Sequence, residues 1–154
     1  MNFTAEILKA ADQAGICSAY YRLCKEQPFL PGAANKKVPY KEVLAASAGI
    51  IQLSKLGGPG AAYKVGGLPD GLSLNLIVQS GGSVESHFTV HGVEQEQQGT
   101  FATLCNEAVK HSGQPAPSPP YPRPICSSST QLVATFRTLQ ELAIALFGAV
   151  RAAG

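Results

Sequence analysis

The sequence predicts an α+β fold: a three-stranded antiparallel meander with two helices before it, one after, and a long C-terminal helix reached through a proline-rich arm. Three observations carry this expectation. Apolar residues recur at helical spacing up to residue 56, alternate strictly between residues 61 and 90, and return to helical spacing after residue 100. Six of the eleven residues from Gln114 to Pro124 are proline, which no helix or central strand accepts. The last 25 residues then carry an apolar stripe longer than any other in the chain. The expected division is an α+β core over residues 1–113, an extended arm over 114–128, and a helix over 129–154 that packs on the core or on a partner subunit.

Residues 4–26 read as helix. Thr4 can cap it, Glu6 suits the positive first turn, and Ile7, Ala11 and Ala14 recur on one face. Gly15 interrupts before Ile16, Tyr20 and Leu23 resume the stripe, so one kinked helix and two short ones are both consistent with the pattern; Pro28 and Pro31-Gly32 end it. A second helix is expected from Pro39, a first-turn proline, to the Gly57-Gly58 stop. Its apolar face is Val43, Leu44, Ala48, Ile50 and Ile51, with Leu53 or Leu56 beyond.

The period then becomes 2. Leu72, Leu74, Leu76 and Val78 alternate with polar neighbours, as do Val84, Phe88 and Val90. A two-residue Gly81-Gly82 turn would mix the faces. A three-residue Ser80-Gly81-Gly82 loop pairs Val78 with Val84 and Leu74 with Phe88, and sets Asn75 opposite His87. Residues 61–68 form the third strand, joined through the Pro69-Asp70-Gly71 turn; Tyr63 and Val65 reach the apolar face if that turn is Asp70-Gly71 alone or if Gly66-Gly67 bulges. Thr100 caps a helix whose stripe is Phe101, Leu104, Cys105 and Ala108, closed by Gly113. Ser129 or Thr130 starts the final helix, which runs to about Ala152.

That final helix holds nine large apolar side chains: Leu132, Val133, Phe136, Leu139, Leu142, Ile144, Leu146, Phe147 and Val150. Burial is worth roughly 2 kcal/mol for each. A helix of this composition covers its own sheet or enters a subunit interface, and a polyproline arm that rises about 3.1 Å per residue can carry it across the domain. Its flanks hold too few basic residues for membrane contact to be expected.

Composition excludes several classes. Of 154 residues, 45% are hydrophobic and only 14% charged, the reverse of a disordered chain. Met1 is followed by Asn2, Phe3 and Thr4, with no basic-then-apolar leader, and the longest apolar run, Leu142–Val150, falls short of the ~20 residues that span a bilayer; the expectation is a cytoplasmic protein. Residues 1–64 carry eight Lys or Arg against four Asp or Glu, whereas residues 65–110 carry one against five. Only the first segment suits a phosphate backbone.

Candidate chemistry is sparse. Cys17, Cys24, Cys105 and Cys126 fit no metal or redox spacing and are expected as buried, reduced thiols. Cys126 precedes a helix start, where the dipole lowers a thiol's pKa, and is the weak candidate for a catalytic nucleophile. His87 and His91 share a strand face, about 13 Å apart at 3.4 Å per residue, too far for one metal ion without a sharp bend such as Gly92 could allow. Gly57–Lys64 lacks phosphate-loop spacing. Pro117 to Pro120 is a P-x-x-P match without its flanking basic residue and reads as spacer.

Residues 39–112 run helix, three antiparallel strands, helix, and in that order resemble a double-stranded-RNA-binding domain over half the chain. The family places phosphate-holding lysines at the start of its second helix. Here that stretch is Thr100-Phe101-Ala102-Thr103, after Glu94 and Glu96. The principal phosphate contacts are thus missing, and an RNA-binding alternative rests on Lys36, Lys37 and Lys41 at the first helix.

The expected function is a non-enzymatic interaction or assembly module. It is expected to be homo-oligomeric, with Leu132, Phe136, Leu139, Leu142, Leu146 and Val150 as interface and a protein partner as the other option. RNA binding and a small thiol enzyme built on Cys126 are the alternatives. No cofactor is expected.

Overall fold

The computed structural model describes residues 3–27, 38–58, 61–91 and 95–153. α1 (Ala5–Gln13) is capped by Thr4, whose hydroxyl accepts the Ile7 N–H at 3.4 Å. α2 (Ile16–Glu26) follows at once, because Gly15 takes φ +71° and turns the chain between them. The first segment is therefore two helices; Pro28 and Pro31-Gly32 lie outside the described residues.

α3 (Tyr40–Ser47) stops well short of the expected Leu56. Gly49 adopts φ +75°, the left-handed conformation that closes helices, and the Ile51 N–H returns to the Ser47 carbonyl at 3.1 Å. Beyond the glycine the apolar residues alternate: Ile51 is buried, Gln52 exposed and Leu53 half-buried. They lead into a strand, β1 (Leu53–Lys55).

The sheet has five strands, not three. β2 (Ala61–Val65), β3 (Leu72–Val78) and β4 (Val84–Val90) form the expected meander, with β1 added at one edge and β5 (Gln97–Thr100) at the other. All pairs are antiparallel. Across β3 and β4 the expected register holds: Val78 pairs with Val84, Leu74 with Phe88, and Asn75 with His87. The hairpin loop places Gly81 and Gly82 at φ +91° and +86°. Between β2 and β3 the turn is centred on Asp70-Gly71, closed by the Leu72 N–H to the Pro69 carbonyl at 3.1 Å. Tyr63 then faces Leu76. This register is two residues from that of a bare two-residue hairpin, a slip that preserves the face. With five strands between α3 and α4 (Phe101–His111), the element order behind the RNA-binding resemblance is not present.

Helices cover one face of the sheet. α4 packs on α1, α2 and β4, while α5 (Ser129–Ala153) packs on α1, α2, α3 and β3. Tyr63, Leu74, Leu76, Phe88 and Val90 rise from the sheet to meet Phe101, Leu104, Phe136 and Leu139, all 0–1% exposed. The Phe136 ring leans on Tyr63 at 5.6 Å and Phe101 on Phe88 at 5.2 Å. A disulfide joins Cys17 on α2 to Cys105 on α4, so the expectation of reduced thiols holds only for Cys24 and Cys126. Neither cysteine lies in a recognisable spacing; the fold alone brings them together.

The arm does more than span. β5 covers β4 only from His87 to Val90, and residues 124–126 take the vacant edge above it. The Val84 N–H reaches the Pro124 carbonyl and the Cys126 N–H reaches the Gly82 carbonyl, each at 2.9 Å. The Ile125 N–H bonds the Gln27 carbonyl at 2.9 Å, and the Tyr20 hydroxyl donates to the Pro122 carbonyl at 2.8 Å. Arg123 pairs with Glu85, whose side chain is only 9% exposed. A pure spacer needs none of these bonds. The arm is clamped to β4 and α2 just before it releases α5.

Candidate functional site

The uncovered sheet face is the first surface to consider. One row across it is Ser54, Lys64, Asn75, His87 and Thr100, each paired to the next. With Asn75 and His87 of that row, Ala62, Ile77, Ser73, Thr89 and Gln98 line a shallow concavity of about 330 Å³. Phe88 borders it too, but its ring is 1% exposed and packs on Phe101 in the core, so the concavity presents no exposed Phe, Tyr or Trp ring for stacking bases. Its neutral hydrogen-bonding side chains suit water as well as any partner. His87 stands exposed here, while His91 Nδ1 lies 2.9 Å from Glu96 Oε2, with both side chains about half exposed. The two histidines do not converge, and no group of three His, Cys, Asp or Glu side chains able to hold a metal occurs among the described residues.

The thiols point inward. Cys126 is 4% exposed, and its Sγ lies 3.3 Å from Thr135 Oγ1 on the next helix. Burial raises its pKa, with the Thr135 hydroxyl opposing the shift. This reverses the expectation of an activated thiol: the side chain turns into the core, where desolvation of a thiolate outweighs the dipole of α5. Cys24, beside Tyr20, is pushed up to about 11 by burial. Neither thiol is placed to attack a substrate at neutral pH.

Of the expected basic cluster, Lys36 and Lys37 lie outside the described residues. Lys41 is exposed in the first turn of α3. Lys55 sits over the Tyr40 ring at 5.1 Å, so that cation is already engaged by the chain itself.

The six residues expected at an interface are mostly claimed by this chain's own core. Leu132, Phe136, Leu139 and Leu146 are 0–1% exposed, Leu142 is 8% exposed, and only Val150 is half-buried. Burial of the stripe is thus an intramolecular event. The other side of α5 remains. Ile144 alone of the nine large apolar residues lies off the stripe, and it is 39% exposed. Around it run Ala134, Ala145, Gly148 and Ala152, all exposed. Charge there is limited to Arg137, Glu141 and Arg151. Ile50, at 46%, flanks the same side: the Arg137 guanidinium donates to its carbonyl at 3.2 Å, and Gln140 shares a surface depression with it. Tyr40, 40% exposed, begins α3, which packs on α5. Among the described residues, three of the four exposed large apolar side chains, the fourth being Tyr121, therefore belong to the α3–α5 side. In the sequence Ile144 was legible as the one large residue that breaks the helical stripe, whereas Ile50 was hidden by the overlong helix assigned there.

Compared with known protein families, with curated proteins and with solved structures, the chain matches none.

Proposed function

We propose that the chain is a non-enzymatic assembly module that forms homo-oligomers through the α3–α5 side. One observation carries the reading. An 18-residue window of α5 has a mean hydropathy of 1.3, yet only 44% of it is buried within the chain. By length and composition α5 would pass for a membrane span, but Leu132, Phe136, Leu139 and Leu146 are packed against the sheet and its helices. What remains outside is a helix face where alanine, glycine and isoleucine run between just three charges, Arg137, Glu141 and Arg151, a charge density low for a solvated helix. Such a surface favours contact with another protein surface. Residues that could do chemistry, by contrast, are scattered: His87 on the sheet face, His91 with Glu96, and Cys126 in the core.

Light scattering across a range of concentrations tests this. A mass above 16.0 kDa is expected, falling toward 16.0 kDa when Ile144→Lys adds a charge to the patch. At concentrations where both proteins are monomeric the melting curve should stay close to wild type, because Ile144 is exposed in the single chain. A chain that stays at 16.0 kDa at the highest concentrations removes the reading.

A further inference from the structure

The outer face of α5 has a property that an arbitrary apolar patch lacks: it is complementary to itself. At 3.6 residues per turn, Glu141, Ile144, Ala145, Gly148, Arg151 and Ala152 fall within a sector of about 120°. Ile144 projects from it. Gly148 carries no side chain and so leaves a low point in the face, where a β-carbon would stand in open space with nothing within 4 Å. Glu141 supplies a negative charge one turn before the projection, and Arg151 a positive one just past the recess. Both are exposed, and their present partners bind weakly: Glu141 faces Arg137 at 3.3 Å in a surface pair, and the Arg151 guanidinium rests over the Phe147 ring at 5.4 Å.

Resting on the assembly reading, we infer that the occupant of this face is a second copy of the same chain, with the two α5 helices antiparallel and the two-fold axis beside residue 146. In that register Ile144 enters the recess at the partner's Gly148. Glu141 meets the partner's Arg151. Symmetry repeats both contacts, so one dimer gains two knobs in two recesses and two ion pairs. Small residues at 145, 148 and 152 let the helix axes approach closely.

Charge selects this arrangement over its neighbours. Sliding the partner one turn sets Arg137 against the partner's Arg151. A parallel two-fold sets Glu141 against the partner's Glu141. Each is repulsive, whereas the proposed register is attractive at both ends. The helix from Arg137 to Ala152 is about 24 Å long at 1.5 Å per residue. Such a helix pair is at the small end of stable interfaces, which bury about 1,200 Å² or more in total, and Ile50 extends the apolar area at each end. A dimer of moderate affinity is the expected form.

The test is charge reversal read by light scattering or sedimentation, with circular dichroism confirming that each variant keeps the wild-type helical spectrum. The wild type should reach twice 16.0 kDa. Glu141→Arg alone, or Arg151→Glu alone, should weaken dimerisation at least about tenfold, because each substitution is present in both copies and turns both attractions into repulsions. Glu141→Arg combined with Arg151→Glu should restore it. A wild-type oligomer that neither single reversal weakens, or that the double reversal fails to restore, overturns this register while leaving assembly through another surface intact. A wild type that stays monomeric overturns both.

Discussion

Gly82→Val is expected to cost about 4 kcal/mol, a large share of the ~5–15 kcal/mol by which a domain is stable. Two separate physical causes combine. Gly82 holds φ +86°, a conformation that costs a side-chain-bearing residue about 1–2 kcal/mol. A β-carbon there would also stand 2.1 Å from the Cys126 carbonyl oxygen, a backbone atom that cannot swing aside. The arm must therefore leave the β4 edge. That forfeits the bonds Cys126 N–H to Gly82 and Val84 N–H to Pro124, worth about 1 kcal/mol each, and loosens the start of α5. Gly113→Ala is the control. Gly113 has φ +83° but nothing within 4 Å of the added carbon, so it should lose only the conformational part, about 1–2 kcal/mol. Urea unfolding of the two variants reads the difference. Equal losses would mean that the arm is not clamped where it is described.

Removing the Cys17–Cys105 disulfide is the second large effect. The bond closes a loop of 88 residues and ties α2 to α4. The chain-entropy relation gives about 4–5 kcal/mol for a loop of that size. Cys17→Ala with Cys105→Ala, or reduction of the native protein, should lower the guanidinium midpoint by a corresponding amount. Alkylation of the unfolded, unreduced chain should label Cys24 and Cys126 only; four labelled cysteines would contradict the assignment. A disulfide that persists in protein taken from its own cells would place the chain in an oxidising compartment, against the cytoplasmic expectation.

The parts legible in the sequence are those in which a single local rule decides. Thr100 caps α4 with its hydroxyl accepting the Thr103 N–H at 3.1 Å, and the strict alternation of β3 and β4 favours the three-residue Ser80-Gly81-Gly82 loop over the two-residue turn that would mix faces. The length of α5 follows equally directly from its stripe. The parts missed depend on competition between rules. Ile50, Ile51 and Leu53 satisfy both a helical stripe and the start of an alternation, and only the left-handed turn at Gly49 settles the choice for β1. β5 reads Gln-Gln-Gly-Thr, with no β-branched or aromatic residue before Thr100, and is a strand because β4 has an edge to fill. The pairing of the arm with Gly82 and Val84 has the same origin: an unpaired strand edge recruits the nearest extended chain, and proline spacing alone does not show where that edge lies. For the proposed site, the sequence points to α5 but to the side that the chain's own core buries. Six stripe residues look like an interface until the sheet beneath them is known to need a cover.

Hydrogen exchange over α5 bears most directly on the whole account, which requires one side of this helix to be part of the chain's own core. Amides from Leu132 to Phe147 should exchange only through global unfolding, at the rate of β3 and β4. Exchange of that segment within seconds, while β3 and β4 remain protected, would show a helix that is not held by the core, and the account would fail.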